Sequence, residues 1–446
     1  MSDSGFSYSF DQIKQMSEDV LKVAKRLGAS SAEAELSLSI GQNVSVRMGE
    51  VENIEYNRDK GMSVTVYFGK QKGHASTSDM SPQALADTVA AACNIAKYTA
   101  QDEFCGLADP ELMATDIQDL DLHHPWDISV DEAIEIARIC EAAALGVDSR
   151  ITNSEGASVS TGTGFFAYSN SHGFTGGYSS SRHGVSCSVI AESGGSMQRD
   201  YWYSTARAAE DLQSAVDIGT VAGERTVRRL NAKKIKTCQV PVLFEAPLAS
   251  GLISTLISAI SGGNLYRKSS FLLDSLGKQI ASPLLNIYED PFIKKGLASS
   301  PFDNEGVATK ARQLVQDGVL QGYVLSSYSA RKLGMKTTGN AGGNHNLMIR
   351  PGANDFAGLL KQMGTGLVVT ELLGHGMNMV TGDYSRGAAG FWVENGMIVH
   401  PVEEITIASN MVDMLKMITG IGNDVLVQGS KQVGSILIER MTVAAD

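Results

Sequence analysis

Apolar residues recur at Phe10, Ile13, Met16, Val20, Leu21, Val23 and Leu27. That near-helical spacing predicts an amphipathic first helix with Gly28 as its stop. From Ala32 to Thr77 the period shortens to two. AEAELSLSI, NVSVRM, EVENIEYN, GMSVTVYFG and KGHAST read there as short strands of an antiparallel meander, parted by glycine or charged turns. Ser81-Pro82 opens a second helix to about Tyr98, with serine at the N-cap and proline at the first helical position, where its missing N–H costs nothing.

Ala100 to Asp127 is polar, contains Pro110 and Pro125 and holds no period, so a domain linker is expected there. Ser129-Val-Asp-Glu132 is a capping box that starts an alanine-rich helix to about Leu145. Ile151 to Glu192 alternates like a second meander, and Ala206 to Leu230 is helical by composition. Val240 to Phe244 reads as a buried strand before a helix over Leu248 to Ile260. Beyond it, Gly322 to Ser326, Leu367 to Thr370, Gly390 to Val393, Glu404 to Ala408 and Gly434 to Glu439 are strand-like runs among glycine-rich loops, with few helices. The expectation is an α+β chain: two meander-plus-helix domains at 1–125 and 126–238, then a larger β-rich C-terminal domain at 239–446.

Composition narrows the function classes. The 37 basic and 49 acidic residues leave a net charge of −12, which opposes attraction to nucleic acid or an anionic membrane. The one basic run, Arg225 to Lys236, reads as a solvated helix face at a domain junction. Five cysteines form no CxxC pair, so neither a zinc ribbon nor a redox motif is visible, and the set suits a reducing cytosol. The N-terminus lacks the pattern of a secretory signal, and no apolar run approaches the roughly 20 residues that a membrane helix needs. A cytoplasmic location is expected.

Candidate chemistry concentrates between Gly364 and Gly396, where closely spaced glycines surround Glu371, His375, Asp383, Tyr384 and Arg386. Glu371 and His375 stand four apart, the spacing that puts a carboxylate and an imidazole on one face of a helix, with His345 and His400 as further ligands in the same region. Gly374 and Gly376 flank the histidine and oppose a regular helix, so a polar loop shaping a surface or cavity is the competing reading. The adjacent His123 and His124 would point opposite ways in extended backbone, and His172 and His183 lack ligand partners at useful spacing. There is no G-x-S-x-G elbow, no dinucleotide fingerprint and no P-loop. Arg267-Lys268-Ser269-Ser270 could hold a carboxylate or phosphate, or anchor a loop.

NLYRKSSFLLDSLGKQI, KGLASSPFDNEG, SSYSARKLG, TGNAGGNHN, GTGLVVTELLGHG and TGDYSRGAAGFWVENG closely resemble the TldD/PmbA metallopeptidase family, on its PmbA (TldE) branch. GEVENIEYN, DMSPQALADTV, ITNSEGASV, NSHGF and SRHGVSCSVIAE extend the resemblance over nearly the whole chain. It implies three domains, a cytoplasmic bacterial protein and a TldD-like partner subunit with which unstructured peptides are cleaved, microcin precursors and antitoxins among them. In TldD-like members an HExxxH helix early in the third domain and a C-terminal cysteine hold zinc. Ser254, Thr255 and Ala259 stand at the corresponding positions here, and no cysteine follows Cys238. The resemblance therefore implies a subunit that binds no cofactor itself, with zinc in its partner. The peptide or partner surface is expected around Arg267, Lys268, Asn340, Gly342, Gly343, Asp383, Tyr384 and Arg386. Open β edges leave homodimerisation available to the isolated chain. The competing readings are an autonomous metallopeptidase using Glu371 and His375, and a regulator acting on a DNA-associated protein such as gyrase.

Overall fold

Ser9 starts the first helix: its hydroxyl accepts from the Gln12 N–H while the Gln12 side chain accepts from the Ser9 N–H. Two otherwise orphaned donors are satisfied reciprocally. The structure, a computed structural model, describes residue 6 and residues 8–445. Its N-terminal half contains α1 (Phe10–Arg26), β1 (Ser31–Arg47), β2 (Glu50–Phe68), β3 (Gln71–Thr77), α2 (Pro82–Tyr98), α3 (Val130–Leu145), β4 (Ile151–Asn170), β5 (Thr175–Ser193), β6 (Ser196–Ala206) and α4 (Ala215–Val227).

The two meanders share one antiparallel sheet of order β3-β2-β1-β4-β5-β6. β1 joins them, pairing with β2 on one edge and with β4, from Glu33↔Asn170 to Val46↔Ala157, on the other. Its even-numbered residues from Ala32 to Val46 face one side: Ala32, Ala34, Leu36 and Leu38 pack beneath α1 and α2, Val44 and Val46 beneath α3. The strands are longer than the sequence pattern suggests. Gly41 and the charged residues Arg58 to Lys60 read as turns and lie inside strands instead, since a glycine flanked by alternating residues can remain extended while a neighbouring backbone comes close.

Residues 100–127 form no loose linker. Cys105, Leu107, Ala108, Leu120 and Leu122 are buried. Arg331, from the C-terminal domain, donates to the carbonyls of Gly106 (3.1 Å), Phe104 (3.4 Å) and Leu107 and to the Asp109 carboxylate (3.0 Å). Tyr328 donates to Asp102 at 2.6 Å. A polar segment without periodicity can thus be ordered by one fork-shaped donor.

The C-terminal part runs β7 (Cys238–Phe244), α5 (Ala246–Ala259), α6 (Gly262–Tyr266), β8 (Ile287–Asp290), β9 (Arg312–Gln316), β10 (Val319–Leu320), α7 (Ser327–Lys332), β11 (Asn346–Ile349), α8 (Phe356–Met363), β12 (Gly366–Leu373), β13 (Asp383–Glu394), β14 (Met397–Asn410), α9 (Met411–Lys416), β15 (Ile418–Ile421), β16 (Lys431–Gln432) and β17 (Ile436–Ala445). One sheet has the order β14-β13-β12-β7-β17-β15, and β14 also pairs with β17, so five strands close into a ring. Closure removes edges wherever these strands pair, and leaves one where β12 runs on past β7. A second sheet, β10-β9-β8-β11-β16, lies beside it. Gly322 to Ser326, expected as a strand, makes a single bridge from Val324 to Ser261. The observed class is α+β, with the larger β-rich part at the C-terminal end. No helix among the described residues is long and apolar enough to cross a membrane.

Candidate functional site

The glycine-rich stretch folds as a hairpin rather than a helix. Asp355 caps α8 through the Gly358 N–H, the chain reverses at Gly364, and β12 leads through a loop into β13. Gly390 lets β13 lie against β12: a Cβ there would sit 1.8 Å from the Val368 carbonyl oxygen. At Gly376 a Cβ would meet the Ser385 carbonyl oxygen at 1.4 Å, and the Ser385 N–H donates to the Gly376 carbonyl at 2.7 Å. The hairpin therefore closes only on glycine.

This geometry separates the paired metal-ligand candidates. Glu371 is on β12 and His375 in the exposed loop beyond it, so the two do not share a helix face. His345 is buried, its Nε2 3.0 Å from the Gly339 carbonyl oxygen, and the His400 ring is 3.1 Å from that of Pro401. Among the described residues, no three His, Cys, Asp or Glu side chains gather as a metal would need.

Glu371 instead accepts from Arg229, near the C-terminal end of α4, in a contact that bridges the central and C-terminal parts of the chain. Arg229 also lies 3.7 Å from Asp200 of β6. Arg225, one turn earlier, is 3.4 Å from Asp200 and 3.0 Å from Glu245, which Arg228 meets at 3.0 Å too. Asp200, Arg225 and Arg229 are at most 11% exposed. Burial opposes the Arg225 charge, but Glu245 and Asp200 outweigh it and raise its pKa. Low dielectric makes such a set strongly interdependent.

Asp200, Arg225, Arg229 and Glu371 help to line a cleft of about 340 Å³. Tyr201, Trp202 and Tyr203 of β6 wall one side, the α5 entrance at Pro247 and Leu248 another, and Thr370 to Leu373 a third. β7 pairs with β12 only as far as Val369↔Phe244, because the chain turns at Glu245 into α5. Thr370 to Leu373 consequently keep a strand edge with no partner on that side among the described residues. The Thr370 hydroxyl is buried without a hydrogen bond. Facing it, the outer edge of β6 is capped by side chains: Arg229 donates to the Arg199 carbonyl (2.8 Å) and Gln428 to that of Tyr203 (2.9 Å). An unpaired edge beside aromatic walls can take an extended peptide by its main chain.

The other sequence candidates scatter. Arg267 and Lys268 are exposed after α6, the guanidinium lying over the Tyr266 ring. Gly342 and Gly343 are in an exposed loop. Asn340 is not on a surface: it is buried, donating to Glu289 (2.8 Å) and accepting from Arg312 (2.9 Å). Asp383 accepts from Thr381 (2.7 Å) and Asn410 (3.2 Å), which hold its pKa down and fix the hairpin loop. Tyr384 is buried, and burial raises its pKa against the pull of Arg386. His183 is buried edge-on to Trp126, and the His124 ring meets Asp121 at 3.0 Å. Sequence reasoning missed Asp200, Glu245 and the β12 edge. The basic run at Arg225 was the available signal, and its junction position was legible, but Arg225 and Arg229 are shielded from solvent, with Arg228 alone of the three arginines exposed.

Models of three PmbA/TldA metallopeptidase domains match in order: domain 1 at residues 32–96, the central domain at 123–230 and the C-terminal domain at 237–445. The chain is 51% identical over 434 residues to the metalloprotease PmbA of Escherichia coli O157:H7, covering 97% of this chain and 96% of that protein. It is 48% identical over 436 residues to a PmbA homologue of Haemophilus influenzae, covering 98% and 96%. The same organism carries a TldD homologue that is 25% identical over 255 residues, 53% of each chain. A crystal structure from Bacteroides thetaiotaomicron, of a protein whose name refers to modulation of DNA gyrase, superposes with a TM-score of 0.93 at 29% identity, covering 98% and 100%.

Proposed function

The chain belongs to the TldD/PmbA metallopeptidase family, and we propose that it is the subunit that shapes a peptide-binding chamber while a TldD-like partner carries the zinc. Unstructured peptides are the substrate class, and the cytoplasm the location. The observation that carries this reading is the chemistry along α5. Ser254 and Thr255 spend their hydroxyls on the carbonyls of Ser250 (2.9 Å) and Gly251 (3.1 Å), and Ala259 is fully buried. These side chains do not fit a zinc ion, which requires imidazole, thiolate or carboxylate donors. Glu371 is no substitute, since Arg229 already neutralises it.

What this chain's residues contribute is binding. The edge at Thr370 to Leu373 offers main-chain donors and acceptors, Tyr201 to Tyr203 offer stacking and apolar area, and the pairing of Arg225 with Asp200 and Glu245 ties α4 to β6 and to the start of α5. Main-chain recognition suits substrates that share no side-chain pattern. That Haemophilus influenzae holds both a PmbA and a TldD homologue supports a two-subunit arrangement. The test is to mix the purified chain with a TldD-like subunit and follow assembly by sedimentation and cleavage of an unfolded peptide. A complex that cleaves supports the reading; two proteins that neither associate nor alter each other's activity overturn it.

A further inference from the structure

Tyr203, Pro247 and Gln428 border not only the cleft but also a second pocket, of about 360 Å³. Lys431, at the start of β16, and Arg182 of β5 line this second pocket, and no carboxylate does. The two cavities treat charge differently. In the cleft every arginine has an acid: Arg199 meets Glu155, Arg225 meets Asp200, and Arg229 meets Asp200 and Glu371. In the pocket Lys431 is half-buried, and burial lowers its pKa with no carboxylate opposing the shift. Arg182 spends its Nε on the Thr205 hydroxyl at 3.3 Å and has no acid partner among the described residues. Nearby Arg207 donates to the carbonyls of Ser181 (3.0 Å) and Leu297 (2.9 Å), and the charge that most affects it is that of Arg182. The N–H groups of Gly429 and Ser430, also in the lining, find no acceptor among the described residues.

In a chain of net charge −12, cations gathered without acids make a local field that attracts anions. An ammonium taken partly out of water without a counter-charge is unfavourable, and an anion bound beside it removes that penalty. A guanidinium adds the planar fork that matches a carboxylate. A peptide lying along the edge at Thr370 to Leu373 is bordered by Tyr203 and Pro247, and these same residues border the pocket. We propose that the pocket takes a carboxylate of the bound peptide, from an Asp or Glu side chain or from the C-terminus, between Lys431 and Arg182. This deepens the proposed function and rests on it: the β12 edge holds the main chain, and the pocket selects for one negative charge.

Fluorescence anisotropy of short labelled unfolded peptides with the full chain tests the proposal. One peptide is blocked at both ends and carries a central Glu, a second has Gln in its place, and a third is the Gln peptide with a free C-terminal carboxylate. The Glu peptide or the free-acid peptide is expected to bind about tenfold tighter than the blocked Gln peptide, and which of them does so identifies the source of the carboxylate. Raising the salt concentration should shrink the preference. Arg182→Gln, at an exposed position, should weaken it alone, Lys431→Met with Arg182→Gln should abolish it, and Lys431→Arg should preserve it. Equal binding of all three peptides, or a preference that survives in the double variant, overturns the proposal and leaves peptide binding standing. Binding of none of them overturns the peptide reading as well.

Discussion

Arg229 and Glu371, 142 residues apart in the chain, meet across the junction between the central and C-terminal parts. Each alone would be a costly charge in a poorly hydrated place. Arg229→Met strands Glu371, leaves Asp200 to Arg225 alone and is expected to cost about 3 kcal/mol, whereas Glu371→Gln keeps an acceptor for Arg229 and should cost about 1 kcal/mol. Trp202, whose ring lies 5.2 Å from the Arg225 guanidinium carbon, reports the junction. Urea titrations followed by fluorescence, with Trp126 and Trp392 replaced by phenylalanine so that Trp202 alone reports, should show the arginine variant opening first.

Arg331 serves three carbonyls and one carboxylate of the connector. A lysine has the charge without the planar fork. Arg331→Lys should expose the connector between Asp102 and Asp109 to limited proteolysis, with the sheet of the N-terminal half remaining uncut.

Gly374 and Gly376 separate two kinds of glycine requirement. A Cβ at Gly374, where φ is +72°, finds open space, so Gly374→Ala should cost about 1 kcal/mol of backbone strain. A Cβ at Gly376 collides with the Ser385 backbone. Gly376→Ala should lower the melting temperature several times more and unlatch the loop at 374–382, read as new proteolytic sites there.

Asp303 is pushed up to about 7 by burial, with the nearby Glu305 charge adding to the shift. A carboxyl whose folded pKa exceeds its unfolded value of about 4 contributes stability that is complete below about pH 4 and is lost as pH rises through about 7. The melting temperature of the unaltered chain should therefore carry a downward component over this window. Asp303→Asn should remove that component while lowering stability at every pH, since its amide would face the Ala341 N–H that Oδ2 now accepts at 3.0 Å.

Local structure was legible where local chemistry decides it. The caps at Ser81 and Ser129 and the run Val240 to Phe244 each specify their element, and α2, α3 and β7 follow them. The joining of two meanders through β1 and β4 was not legible, because pairing between strands over a hundred residues apart leaves no periodic mark. The site shows the same division. Glu371 stood out by its neighbours in sequence, yet its role is set by Arg229, and nothing local announces that contact. Asn340 lies in a glycine-rich loop motif, which suggested a surface; the buried Glu289 carboxylate draws it inward.

We propose for this chain peptide binding without a metal of its own. The most direct measurement is the zinc content of the isolated chain together with its cleavage of an unfolded peptide, compared with the same chain after assembly with a TldD-like subunit. The account predicts no stoichiometric zinc and no cleavage alone, with both appearing in the assembly. Stoichiometric zinc and cleavage by the isolated chain would contradict it.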